Sequence, residues 1–368
     1  MTFLEYRYIR YFDWFSFFIT VTLSCIGLFF IYSATYTDTV PYSMFFKKQL
    51  LGIGTGILIY ILCSFLNYET LSRIGYWLYF LTIGLLIFTM VKGSIGMGAK
   101  RWISLGFIKF QPSELAKLLF PMFITYYFIN DDDTYTPKLK TFFFPLAIIG
   151  LSFLLIVKQP DLGTGIILVF SGIFLLWHVG LPTKTILLAG MCVTLSTPIL
   201  WHFLKPFQKQ RILVFMGYGD TRKERYQIEQ SKIAVGSGGL WGKGFGQGTQ
   251  NKLAFLPESR TDFIFSVICE EIGFAGALSI LFLYILLFFR LFSLISTIKH
   301  FYAQLLCLGL MAHLLFSTLI NISMVLDLLP VVGIPLPFMS YGITNLWVGF
   351  ASIGCINSIT AQRLTNEI

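Results

Sequence analysis

The chain has 368 residues, 56% of them hydrophobic and only 12% charged, with a formal net charge of +9 and a mean hydropathy of +0.75. No soluble domain of that length can hide so much apolar surface, so composition excludes a soluble enzyme and points to an all-α polytopic membrane protein. The basic excess falls largely in loops between apolar runs, which favours membrane lipids or a phosphorylated substrate as partners and argues against nucleic acid.

Apolar runs at 13–34, 48–66, 74–91, 113–130, 142–157, 162–179, 184–203, 263–289, 301–321 and 336–361 predict about ten transmembrane helices in a single domain over 1–368. One long extracytoplasmic loop, about 204–261, separates helices 7 and 8. Strand alternation of the outer-membrane barrel type is absent, so helices are left to satisfy the backbone in lipid. The first run begins at Trp14, after Arg7 and Arg10, and is too long for a signal-peptide core, so it stays as the first membrane helix. An even helix count behind a basic N-terminus places both termini in the cytoplasm of a multi-pass inner-membrane protein. The short loops on the other side nevertheless carry Lys47, Lys48, Lys92, Lys100, Arg101, Lys109 and Lys158. A phosphate-bearing substrate at that outer face would account for them.

Between the third and fourth spans, Gln111-Pro112-Ser113-Glu114 reads as a helix start with proline near its first turn. Glu114 and Lys117 then stand three residues apart, able to pair on one helix face either for packing or for chemistry. Arg101 beside Trp102 suits bidentate phosphate binding or an interfacial anchor. In the turn Lys158 to Gly165, KQPDLGTG, Asp161 is either a helix cap or part of an outer site with Arg101 and Lys158.

Within the long loop, Tyr226 to Val235 reads as a short amphipathic helix, followed by the glycine-dense stretch Gly236 to Gly248. It matches neither a Walker loop nor a dinucleotide fingerprint, which leaves a flexible surface loop or a backbone cradle for phosphate or sugar. The segment LPESRTDFIFSVICEEIGF, Leu256 to Phe274, then puts Glu258, Arg260, Asp262, Glu270 and Glu271 at the mouth of and inside an apolar helix. A carboxylate at mid-bilayer costs roughly 3 kcal/mol on insertion scales, so intramembrane acids are functional candidates. Asp262, at the helix start, either complements the helix dipole or acts in a site, and its charged neighbours favour the site. At about 100° per residue Glu270 falls roughly 80° from the Asp262 face and Glu271 opposite it, so polar glue between helices is as good a reading of that pair as catalysis. Further on, Pro330, Pro335 and Pro337 predict a rigid re-entrant or broken helix lining a cavity around the start of the last span. The six cysteines and four histidines are scattered without ligand spacing, which reads as buried hydrophobes and no protein-only zinc site.

The ordered motifs GAKRWISLG, FQPSELAKL, KQPDLGTG, LPESRTDFIFSVICEEIGF and LPVVGIPLPFMSYG, with FDW at Phe12 to Trp14 and IYSAT at Ile31 to Thr35, resemble the SEDS family (shape, elongation, division and sporulation) over nearly the whole chain. The FDW start and PVVGIPLPF favour its elongation branch over its division branch. The resemblance implies a peptidoglycan glycosyltransferase polymerising lipid II on the outer membrane face, with a class B penicillin-binding protein and the elongation machinery as partners. It further implies that Asp262 is the essential residue, that Glu114, Lys117, Arg101 and Asp161 line the cavity, and that a divalent cation (Mg²⁺ or Mn²⁺) with unassigned ligands takes part. On this reading Asp262 is the general base, Glu258 and Ser340 support it, and Lys100, Lys158, Arg211 and Arg260 are candidates for binding the diphosphate that leaves as undecaprenyl diphosphate. Ile343, Thr344 and Asn345 depart from the family's usual GSS ending, and Asp327 stands where glycine is common, so Ser340 is the weaker assignment. Two rivals use the same residues: a flippase for the lipid-linked precursor, and a noncatalytic scaffold for the penicillin-binding protein.

Overall fold

The computed structural model describes residues 11–38, 40–96, 99–105, 108–130, 138–203, 206–216, 218, 222–253 and 255–366. The first three spans are α1 (Trp14–Thr35), α2 (Met44–Cys63) and α3 (Tyr68–Lys92), each started by a side chain that satisfies an orphan backbone N–H. Asp13 accepts from Ser16 N at 3.3 Å, Ser43 from Phe46 N at 3.2 Å, and Asn67 from Glu69 N at 3.3 Å. A small antiparallel sheet follows, β1 (Ser94–Gly96), β2 (Ala99–Leu105) and β3 (Ile108–Phe110), in the order β1-β2-β3. This sheet adds strand to a fold expected to be all helical. It stiffens the segment that carries Arg101 between α3 and α4 (Pro112–Ile129).

The chain continues through α5 (Phe143–Lys158), α6 (Leu162–Val179), α7 (Thr183–Leu195) and α8 (Thr197–Phe203). The long connection is itself helical in part, with α9 (Pro206–Phe215), α10 (Arg222–Ser237) and the short α11 (Thr249–Lys252). The expected amphipathic helix at Tyr226 to Val235 thus lies inside a longer one. The last helices are α12 (Ile264–Ile295), α13 (Phe301–Val325) and α14 (Ile343–Asn366).

Seven helices among the described residues are long and apolar enough to cross a membrane: α1, α2, α3, α5 with its leading 3₁₀ turn, α6, α12 and α13. The other three expected spans differ for physical reasons. Most of α4 and the described part of α14 beyond Val348 are buried in protein, where neighbouring helices can satisfy polar side chains that lipid could not. The expected span 184–203 is two helices broken at Ser196, and α7 buries none of its residues, so Leu187, Leu188, Met191, Val193 and Leu195 stand exposed. Exposed Phe18, Phe29, Trp77, Leu81, Phe143, Phe282 and Phe289 face outward in the same way on other spans. Apolar surface on this scale has its place against hydrocarbon, as in a multi-pass membrane protein. Of the cysteines, Cys269, Cys307 and Cys355 are buried as expected, whereas Cys25 and Cys192 are exposed.

The start of α1 is tied to α14 and to the far part of α12. The Asp13 N–H donates to Asn357 Oδ1 at 2.9 Å, and the Arg290 guanidinium holds the Asp13 carboxylate at 2.7 and 3.1 Å. Asp262 lies before the first turn of α12, and Arg290 near that helix's other end.

Two irregular segments shape the rest. The last helix starts at Ile343, later than position 336, because residues 330–342 with Pro335 and Pro337 stay non-helical. Within α12, Gly273 has φ +70 and breaks the helix. The carbonyls left open accept from the glycine-rich stretch, Lys243 N to Glu270 O at 3.0 Å and Gly244 N to Glu271 O at 2.9 Å. In return Phe274 N donates to Gly239 O at 2.9 Å and Ala275 N to Leu240 O at 3.1 Å.

Gly27 in α1 lets that helix touch the backbone of the proline-rich segment, since a Cβ there would lie 2.4 Å from Met339 Cα. Gly27→Val should therefore destabilise the protein by about 1–3 kcal/mol, the usual cost of overpacking, read as a lower thermal midpoint in detergent. Gly54→Val, with no heavy atom within 4 Å of the added Cβ, should leave that midpoint unchanged.

Candidate active site

Asp262 sits in the turn that leads from Leu256 into α12, pressed against Gly333 of the proline-rich segment. Gly333 has φ +74, a backbone conformation that favours glycine, and a Cβ there would come into ordinary contact, 3.5 Å, with Asp262 Oδ2. The Asp262 carboxyl is raised from 3.8 to about 6, first by loss of water around it and next by the negative charge of Glu258. Arg101 and Arg211 oppose the rise, and Asp161 adds a smaller push in the same direction as Glu258.

The fold therefore brings five of the expected residues into one electrostatic neighbourhood: Asp262, Glu258, Arg101, Arg211 and Asp161. Glu258, itself at φ +54, accepts from Thr261 Oγ1 at 3.2 Å. Asp161 resolves its two readings by fulfilling both. It caps α6 by accepting from Thr164 N at 3.3 Å, and it faces Arg101 Nη1 at 3.8 Å. Its other oxygen accepts from Gln111 Nε2 at 2.6 Å and Ser113 Oγ at 3.0 Å. The sheet strand bearing Arg101, the start of α4 and the start of α6 are locked together through one carboxylate.

The remaining candidates lie elsewhere or play other parts. Glu114 and Lys117 form a buried ion pair at 2.8 Å; Lys117 also bears electrostatically on His313, whose Nε2 is 2.8 Å from Ser352 Oγ. Ser340 is a buried brace: its hydroxyl donates to Thr261 O at 2.6 Å and accepts from Leu336 N at 2.8 Å. Arg260 stacks its guanidinium 4.1 Å from the Phe45 ring centre. Lys158 is exposed at the end of α5, and the Lys100 side chain lies outside the described residues.

The end of the glycine-rich stretch and the two residues after it form a backbone cradle, but Gly246, Thr249 and Gln250 aim their N–H groups at the protein's own carboxylates. Glu271 accepts from Gly246 N at 3.0 Å and Ser33 Oγ at 2.5 Å. Glu270 accepts from Thr249 N at 2.8 Å, Gln250 N at 3.2 Å and Lys243 Nζ at 2.7 Å. Buried carboxylates need such donors, and the polar-glue reading of Glu270 and Glu271 fits this geometry.

Sequence reasoning gave no role to Gln111, Gln49 or Asn321. Gln49 holds the proline-rich segment at Ser340 O and Gly342 N, both at 3.2 Å, and Asn321 donates to Asp262 O at 2.9 Å. Their signal was legible in principle, because an amide inside an apolar run needs protein partners.

Because the folded Asp262 carboxyl titrates at about 6 and the unfolded one near 3.8, the folded chain holds the extra proton across that window. Its stabilising contribution is complete below the window and lost as pH rises through about 6. Asp262→Asn should accordingly raise the thermal midpoint at pH 7.5, with the gain shrinking toward pH 5.

Residues 14–365 match the family of cell cycle proteins that comprises FtsW, RodA and SpoVE. The chain is 40% identical over 319 residues to the peptidoglycan glycosyltransferase MrdB of Escherichia coli, which covers 86% of each protein. It is 33% identical to the stage V sporulation protein E of Bacillus subtilis, covering 93% of this chain and 95% of that one. In three dimensions it is similar to the rod shape determining protein RodA of Thermus thermophilus, with a TM-score of 0.70, 26% identity and coverage of 96% and 97%. It is also similar to a chain of a solved peptidoglycan synthase complex that coordinates polymerization and crosslinking, with a TM-score of 0.81, 27% identity and coverage of 96% and 99%. With the match running almost end to end, the chain belongs to the FtsW/RodA/SpoVE family of cell cycle proteins.

Proposed function

We propose that this protein is a peptidoglycan glycosyltransferase that polymerises lipid II, with Asp262 as its general base. The observation that carries the reading is a partly buried carboxyl held at about 6 within the electrostatic reach of two guanidinium groups, on a chain 40% identical to a peptidoglycan glycosyltransferase. A base titrating near 6 is ionised at neutral pH yet still accepts a proton readily. Asp262 takes the proton from the acceptor sugar hydroxyl, whose oxygen attacks the anomeric carbon of the donor. The bond from that carbon to the diphosphate breaks, and undecaprenyl diphosphate leaves with the electron pair. Arg101 and Arg211, already acting on Asp262, offset the charge on the departing diphosphate.

The donor set suits a divalent cation only in company with the substrate. Among the described residues no three His, Cys, Asp or Glu side chains gather as a metal site, and the oxygens of Asp161 are already engaged. Mg²⁺ or Mn²⁺ would be held mainly by diphosphate oxygens, with Glu258 as its protein ligand, and would supply further charge neutralisation to the leaving group.

The same reading places both termini in the cytoplasm and the Asp262 end outside, with the lipid tail left in the bilayer. A crosslinking transpeptidase, a class B penicillin-binding protein of the elongation machinery, is the proposed partner. The similarity to a chain from a complex that both polymerises and crosslinks supports that pairing.

The test is glycan-strand formation from purified lipid II by the full chain with its transpeptidase, in Mg²⁺ or Mn²⁺. Polymer is expected from wild type and none from a folded Asp262→Ala variant; equal polymer from both would overturn the assignment. The wild-type rate should fall on the acid side with a midpoint near pH 6. Chelation should abolish polymer, and restoring the cation should recover it.

A further inference from the structure

The carboxylate of Asp262 is only as well placed as the turn that carries it, and that turn precedes α12, where no helical ladder holds it. Its backbone is fastened from outside. Asn321, fully buried in α13, donates through Nδ2 to the Asp262 carbonyl at 2.9 Å and to the Ile334 carbonyl at 2.6 Å. Ile334 follows Gly333, the residue whose backbone lies against the Asp262 carboxylate. One amide thus ties the strand of chain bearing the acid to the strand of chain forming its wall.

The orientation of the amide is set by chemistry. Both acceptors are backbone carbonyls, so the NH₂ group must face them; the reversed amide would point oxygen at oxygen. Asn321 Oδ1 is buried with no partner among the described residues, so the side chain leaves its own acceptor unsatisfied while both of its donors serve this bridge. Ser340 and Tyr341 fasten the neighbouring residues, through Thr261 O and Arg260 O, but only Asn321 reaches the Asp262 carbonyl itself among the described residues.

We propose that Asn321 is a positioning residue for catalysis: its bidentate donation to Asp262 O and Ile334 O holds the Asp262 carboxylate against the Gly333 wall at the reach needed for the acceptor hydroxyl. This rests on the reading of Asp262 as the base. A misplacement of about 1 Å can cost about 100-fold in rate without weakening substrate binding, so the loss belongs in kcat.

The experiment compares full-length wild type, Asn321→Leu, Asn321→Ser and Asp262→Asn in lipid II polymerisation, with kcat and KM measured per folded molecule and folding checked by thermal unfolding. Asn321→Leu, which lacks both donors, should lose at least about 30-fold in kcat with KM within about threefold, as misplacement of the base requires. Asn321→Ser, with one donor on a shorter arm, should fall between it and wild type. Wild-type kcat in Asn321→Leu beside an inactive Asp262→Asn would overturn the positioning role while leaving the base intact. A rise in KM at unchanged kcat would also overturn it, by assigning Asn321 to substrate binding. Failure of both Asn321 variants to fold would overturn it by placing the residue in bundle packing. Full activity in Asp262→Asn would instead remove the base reading on which the proposal stands.

Discussion

A charge withdrawn from water into an apolar bundle must find a partner inside the protein, and the architecture around Asp262 follows from that constraint. Asp13 has Arg290, Glu114 has Lys117, Asp161 has Arg101, and Glu270 has Lys243. Asp262 makes no ion pair of this kind among the described residues. Arg101 and Arg211 act on it from a distance, and Glu258 works against them. Pairing holds those four carboxylates in structural duty, while incomplete pairing leaves this one able to exchange a proton near neutral pH.

The same constraint governs the two breaks in regular structure. Irregular backbone at membrane depth is tolerated only where protein supplies the missing hydrogen bonds. At Gly273 the glycine-rich stretch supplies them, main chain to main chain; its Gly246 N–H then serves Glu271, and Thr249 N just beyond it serves Glu270. Along residues 330–342 the donors are side chains from three helices: Gln49 of α2, Tyr284 of α12 and Asn321 of α13. Both breaks serve the helix that follows Asp262, one by bending it and the other by walling its start.

Asp161 shows how closely capping and site chemistry can coincide. A helix cap asks for a short side-chain acceptor, and a guanidinium asks for a carboxylate; one oxygen of Asp161 meets both demands and leaves the other for Gln111 and Ser113. Its shared use couples the strand carrying Arg101 to the starts of α4 and α6, so the arginine that tempers Asp262 is held by the bundle and not by a loose loop.

Some of this was legible in the residues alone. Hydropathy set the membrane class and most of the spans, because apolar runs of about 20 residues have one low-energy home. The cost of ionisable groups in such runs picked out Asp262, Glu114 and Lys117, and local turn chemistry picked out the cap at Asp161. The sheet that carries Arg101 was hidden by its short strands, and the late start of α14 by an apolar run that continues through its prolines. Which charges share a neighbourhood was decided only by tertiary structure. Arg260 and Arg211 look alike in sequence, yet one lies over Phe45 and the other bears on Asp262. The glycines could have cradled a ligand, and instead Gly246 donates to Glu271 while the residues just after them hold Glu270. Spacing along a chain determines which face of its own helix a residue takes, whereas the partner across the gap comes from another helix, distant in sequence and placed by packing.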